Sequence, residues 1–321
     1  MHFEGIGRVM TAVAVASALA ACGGGGGGSS SETAQAQRVV ITQSNATPVA
    51  AEAIDAGGAG SGASGSVTGV QVSATSAPVS AMTALANAVQ RGLNTTAPSA
   101  LVGATVTQAC SGGGSITISG SNTQASLTFN SCVEHGATLT GTLSVTLVSG
   151  DSAIQFVADA TASNFTITTA GVGERLNGTL RVSFDETSST HELTTITSSS
   201  LLFDRLLNGT ARATRTLSNY NSYIDTTIAT GSSSQTFSFT VSGSFRGFGT
   251  ASFDAQTTQP IVTPGGATHP TSGAGKITGA NGTSVAVTVI STGVRLDIDT
   301  NGDGVTDATL TRTWDELDAE L

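Results

Sequence analysis

Charge is scarce in this chain. Charged residues make up 11% of its 321 positions, against about 25% in an average soluble domain. Acids outnumber bases 22 to 12, the formal net charge is −10, and Lys276 is the sole lysine. A surface of that sign repels phosphate backbones, which excludes general nucleic-acid binding, and it adheres poorly to anionic lipid. Aromatics are 4%, and Trp314, Tyr220 and Tyr223 supply all the Trp and Tyr. That is too few for the two aromatic girdles of a membrane-spanning β-barrel. The Ala/Glu/Lys/Leu/Arg heptads of a coiled coil are missing. The histidines, His2, His135, His191 and His269, are scattered, so no zinc spacing arises. There is no Gly-x-Ser-x-Gly elbow, and the glycine run 23–28 lacks the Lys-Ser/Thr of a phosphate loop. No catalytic constellation emerges, and the expectation is a protein that is not an enzyme.

What is present begins with an address. Arg8 precedes a stretch of small apolar residues, 9–21, long enough for a signal segment and too short to span a bilayer. It ends in Leu19-Ala20-Ala21-Cys22, which resembles a bacterial lipobox. The resemblance implies a signal peptide over 1–21, a diacylated (palmitate-bearing) Cys22 as the mature N-terminus, and anchoring in the cell envelope. Gly23, standing where an Asp would favour inner-membrane retention, points by the same resemblance to the outer membrane. Acyl chains hold such an anchor at roughly 0.8 kcal/mol per buried CH₂.

Lipidating Cys22 leaves Cys110 and Cys132, an even pair in an oxidising compartment. A disulfide between them is the favoured reading; two free thiols or a metal pair are the alternatives.

Residues 22–77 are Gly, Ser, Ala, Thr and Gln with few large apolar side chains. Such a segment offers little burial to offset its ordering entropy, and it reads as a disordered tether of roughly 40 Å r.m.s. span. Residues 78–321 read as one β domain. It opens with a helix over about 80–93, where Met82, Leu85, Ala86, Val89 and Leu93 recur at three- and four-residue spacing.

From Cys110 onward the period is two. Leu139, Leu143 and Val145 alternate with Thr140, Thr142 and Ser144; Leu176, Leu180, Val182 and Phe184 alternate with polar residues; Phe237, Phe239, Val241 and Phe245 continue the pattern. Alternation of this kind predicts antiparallel strands with one apolar and one solvated face. LTGTLSV, LNGTLRV, LNGTARA and VSGSFRG repeat a form. Their glycines, Gly141, Gly178, Gly209 and Gly243, are about 31–37 residues apart, the length of a long hairpin. The fold class expected is mainly β: an antiparallel meander of about ten to thirteen strands, which must curl, close into a barrel or split into a sandwich.

The sharpest local motif is DIDTNGDGVTD, 297–307. Asp299, Asn301, Asp303 and Asp307 offer side-chain oxygens at alternate positions and Val305 a carbonyl, with Gly304 at the turn, the pattern that gathers hard oxygens round Ca²⁺. It is similar to the calcium loops of EF-hands, dockerins and thrombospondin type 3 repeats. Leu310 stands where an EF-hand has its bidentate Glu, and the flanks read as strands, so the resemblance implies a weak site borne on a hairpin. The competing reading is a plain turn, since Asn-Gly and Asp-Gly are common turn pairs. A further run, 108–145, resembles a segment of uncharacterised proteobacterial lipoproteins through Cys110 to Gly113, Phe129 to Cys132 and Gly141-Thr142; that resemblance implies architecture and address only.

The functional expectation is a lipid-anchored envelope lipoprotein, with its membrane contact through Cys22 and an envelope protein or a hydrophobic ligand as partner. A carrier of hydrophobic ligands and an enzyme acting on envelope glycans, with Asp185-Glu186 as half of a carboxylate pair, are the alternatives.

Overall fold

The computed structural model describes residues 37–58, 88–89, 105–121, 123–134, 136–151 and 154–321. The signal segment, Cys22 and all of the expected 80–93 helix except Ala88 and Val89 lie outside them. Those two residues are helical and buried.

Fourteen antiparallel strands form a single sheet in strict chain order. They are β1 (Thr105–Ala109), β2 (Ser115–Ser121), β3 (Gln124–Glu134), β4 (Ala137–Asp151), β5 (Gln155–Thr169), β6 (Val172–Asp185), β7 (His191–Leu207), β8 (Thr210–Thr227), β9 (Ser232–Phe245), β10 (Gly249–Thr263), β11 (Ser272–Thr278), β12 (Ser284–Ile290), β13 (Gly293–Asp299) and β14 (Ala308–Thr313). The meander is as expected, with one strand beyond the upper end of the expected range, and β1 and β14 do not pair to close it. Among the described residues it is accompanied by helices α1 (Ala46–Gly57) and α2 (Trp314–Glu320), by the helical pair 88–89 and by a short 3-10 turn (Ala280–Gly282).

The alternation sorts side chains by face. Leu143 and Val145 of β4, Leu180, Val182 and Phe184 of β6, and Phe239, Val241 and Phe245 of β9 are buried in one core. Thr and Ser between them face outward, where a β-branched hydroxyl suits a solvated pleat. The pattern skips phase where a bulge inserts a residue. In β5 the buried positions are Phe156, Ala158, Ala160 and Ala162, then Phe165 and Ile167. Asn164 between them takes a φ of 48°, and the register with β6 shifts there. Gly141 of β4, at φ 95°, lies opposite this bulge; a Cβ there would overlap the Asn164 carbonyl oxygen. Gly178 of β6 likewise sits beside a register shift, opposite the Ser200 carbonyl. The repeated glycines are therefore not all equivalent: Gly209 lies in the β7–β8 turn and Gly243 in an ordinary strand position.

The tether reading is corrected over 37–58, which are ordered against the sheet. Gln37 and Val39 exchange backbone hydrogen bonds with Ser252 of β10. Arg38 donates to the carbonyls of Thr278 and Gly279 and pairs with Asp254 at 2.8 Å. Val39 and Ile41 are buried. Next comes α1, whose Ala46, Val49, Ala50, Ala53 and Ala56 join the core. It lies along β9, with Pro48 against Gly247 at one end and Gly57 against the Phe237 ring at the other. Small side chains let this helix approach the sheet closely, so composition poor in large apolar residues still yields burial. α2 begins at Thr313, whose hydroxyl accepts from the Glu316 amide while Glu316 reaches back to the Thr313 amide, a reciprocal cap.

Candidate functional site

The expected cation ligands run from Asp299, the last residue of β13, through the following loop to Asp307, just before β14, and the flanks are strands, as the sequence implied. Asp299 is 6% exposed. Its Oδ1 accepts from the Gly302 amide at 2.6 Å and its Oδ2 from the Gly304 amide at 2.8 Å. Asn301 Oδ1 accepts from the Asp303 amide and Asp303 Oδ1 from the Val305 amide, both at 2.8 Å. Asp307 Oδ2 accepts from Thr300, from its amide at 2.8 Å and its hydroxyl at 2.6 Å. Gly304, at φ 83°, makes the turn. Burial works against ionisation of Asp299, and the amides of Gly304, Gly302, Asn301 and Asp303 outweigh it, holding the carboxyl below its ordinary range. Thr300 does the same for Asp307.

The donor set suits a hard cation: carboxylates, an amide oxygen and the Val305 carbonyl. The side chains are not gathered, however. Among the described residues, Cys110, Cys132 and Glu134 are the one group of three acid, His or Cys ligands within 4.8 Å of each other. Asp299, Asp303 and Asp307 thus do not converge, and each spends an oxygen on a backbone amide.

Cys110 and Cys132 form a disulfide, which removes both as metal ligands. Ser111 Oγ donates to Glu134 Oε2 at 2.6 Å beside it. The bridge ties the β1–β2 connection to the end of β3.

Two features escaped the sequence reading. The first is a buried ionic cluster where α1 meets the inner face. Arg215 of β8 is 1% exposed. It donates to Asp55 at 2.7 Å and lies 2.8 Å from Glu52 Oε2, while Arg205 stands 3.8 Å from Asp55. The Arg215 guanidinium also rests 5.7 Å from the centre of the Phe203 ring. Burial raises the Glu52 carboxyl to about 7, against the pull of Arg215. The second is a groove of about 590 Å³ lined by the hydroxyl-rich segments around Thr161, Thr179 and Thr197, with Arg181 and Asp159 joined by two hydrogen bonds of 2.7 and 2.9 Å at its side. It adjoins Asn219, at φ 53°, and the β6–β7 register shift. Bulges carry no hydrophobic signature, and the Arg215 cluster joins residues 160 apart in the chain, so neither feature could be read from periodicity.

Comparison with protein families, curated proteins and solved structures returns no match for this chain.

Proposed function

We propose that this chain is a lipid-anchored protein of the bacterial envelope whose sheet serves as a non-enzymatic binding or structural surface. The observation that supports this best is the division of the sheet into an inner face packed by its own side chains and α1, and an outer face lined with Ser and Thr. The address rests on the lipobox-like Cys22. The proposed membrane contact is the lipid on Cys22; no helix among the described residues is long and apolar enough to cross a membrane. Loop 299–307 is proposed as a weak Ca²⁺ site that braces the last hairpin, formed when Asp303 and Asp307 turn inward.

The filled inner face argues against a carrier of hydrophobic ligands. The apolar cavity between α1 and the sheet, lined by Ile54, Phe237, Ile261 and Trp314, holds about 30 Å³, room for a water or two and not for an acyl chain. The glycan-cleaving alternative needs two carboxylates about 5–9 Å apart across an open cleft. Glu186 does have an electrostatic neighbour in Glu192, but Glu192 is 1% exposed, sealed from any sugar ring.

The test is fractionation of the full chain with mass spectrometry of its N-terminus. The expected result is a diacylglyceryl-modified Cys22 and a membrane-associated protein, released to the soluble fraction by Cys22→Ser. A soluble wild type with an unmodified terminus overturns the reading.

A further inference from the structure

Besides the Arg215 cluster, the inner face of the sheet carries a transverse row of buried polar side chains. Glu192 of β7 pairs with Thr226 of β8, Thr226 with Ser233 of β9, and Ser233 with Thr263 of β10. All four are buried. Thr194, two residues along β7 on the same face, is buried as well. Neighbouring inward positions are Phe184, Ile196 and Ile261, so apolar side chains also fit this part of the face.

Glu192 is the anomaly within it. Neither of its carboxylate oxygens has a hydrogen-bond partner. The charged group that acts on it is Glu186, at the end of β6, which repels it. Among the described residues no Arg, Lys or His acts on that charge. The nearby His191–Asp225 pair belongs to the alternate positions of the same two strands and so to the opposite face. A buried carboxylate with neither donor nor counter-charge costs several kcal/mol and has to be neutralised by something that binds it. Register sets Thr226 opposite it and Thr194 two residues along the same face, both with hydroxyl oxygens that can donate or accept, and Glu186 adds a carboxylate. Without a nitrogen or sulfur ligand the set disfavours zinc and suits a hard cation.

We propose that Glu192, with Thr226 and Thr194, binds a hard, oxygen-seeking metal cation at the end of the sheet's inner face, separate from loop 299–307. Glu186 supplies the second negative charge. A proton competes for the same carboxylate, which burial and Glu186 raise to about 7, so cation binding strengthens as the pH rises above neutrality.

The test uses the full chain in EDTA, then with CaCl₂, MgCl₂ or KCl, at pH 8 and at pH 5.5, followed by thermal unfolding. Three variants accompany it: Glu192→Gln, Thr226→Val, and the loop double variant Asp303→Ala/Asp307→Ala. The expected result is a cation-dependent rise in Tm of several degrees at pH 8 that shrinks at pH 5.5. It persists in the loop variant, needs several-fold more cation in Thr226→Val, and in Glu192→Gln falls to the Ca²⁺ response that loop 299–307 alone supplies; Glu192→Gln is itself more stable than wild type in EDTA. The three salts distinguish which cation the site takes. A Glu192→Gln variant that responds like wild type, or a loop variant that responds to none of the salts, overturns the proposal. In the first case a response lost in the loop variant still supports the 299–307 site, so the two readings fail separately.

Discussion

Arg215 Nη1 donates to Asp55 Oδ2 across 2.7 Å, joining β8 to a helix 160 residues earlier in the chain. The pair, with Glu52 and Arg205, is the charged anchor of α1 on a face otherwise held by Ala and Val packing. Small apolar side chains bury little area, about 25 cal/mol per Å², so the helix depends on this anchor for its position more than an apolar helix would. Its last turn is fixed by a second polar contact, Gln235 Nε2 donating to the Gly57 carbonyl at 3.0 Å.

Removing Arg215 should therefore be among the most damaging single changes. Arg215→Leu leaves Glu52 and Asp55 facing a sealed interface without their main counter-charge, a loss of about 3–5 kcal/mol for a broken buried pair. Adding Glu52→Leu removes one stranded acid and should recover part of that loss. Urea denaturation gives both numbers, and limited proteolysis near residue 58 reports whether α1 has come away. Equal stability of Arg215→Leu and wild type would mean that the cluster contributes nothing to docking.

The Cys110–Cys132 bridge closes a separation of 22 residues, for which chain entropy alone predicts about 3 kcal/mol. Cys110→Ser/Cys132→Ser should lose about that much. Amide exchange should rise in β1 and β2, which the bridge ties to β3, with β12 to β14 unchanged. Uniform acceleration across all fourteen strands would show instead that the bridge acts on global stability alone.

The strands were legible because each alternation had only one burial phase that suited it; Leu143, Val145, Leu180, Val182 and Phe239 all went to the face expected of them. Alternation fails in the segment His191-Glu192-Leu193-Thr194-Thr195-Ile196. Local hydrophobicity points Leu193 inward, yet register with β6 and β8 buries Glu192, Thr194 and Ile196. Helix α1 was missed because its apolar stripe is alanine, and Glu52 and Asp55 read as solvated until Arg215 is brought to them. The acidic loop is flanked by strands, as its sequence context implies. The sequence could not convey that its carboxylates close on their own backbone amides.

Two glycines separate steric demand from backbone demand. At Gly141 an added Cβ overlaps the Asn164 carbonyl, and φ is 95°. At Gly209 the conformation is also left-handed, φ 76°, but nothing lies within 4 Å. Gly209→Ala should cost about 1 kcal/mol, the intrinsic penalty of that conformation. Gly141→Ala should cost more than about 2 kcal/mol, since β5 must move as well. Chemical denaturation of the two variants decides it. Equal losses would show that the bulge at Asn164 yields freely and that Gly141 serves the backbone alone.

Glu192 gives stability a pH dependence of definite sign. Burial, then repulsion by Glu186, raises its carboxyl from 4.5 to about 7 in the folded chain. The folded state thus holds this proton more tightly than the unfolded state does. Its stabilising contribution is complete below about pH 4.5 and declines as the pH rises through 7, by about 3 kcal/mol in all. Asp254 acts in the opposite sense: burial opposes its ionisation, but Arg38 and Thr240 prevail and hold it below its ordinary value, so its contribution is lost only as the solution becomes strongly acidic. The two windows do not overlap, and the neutral range isolates Glu192 from Asp254. Glu52, raised by burial to about 7 as well, adds a slope of the same sign, so the wild-type curve alone is not diagnostic. The difference between wild type and Glu192→Gln is. In EDTA, urea denaturation at pH 5 and pH 8 should show the variant gaining on wild type by about 2.5 kcal/mol between the two. A difference that stays constant across that range would mean that Glu192 does not change its charge there, and both the buried-proton account and the cation competition built on it would fall together.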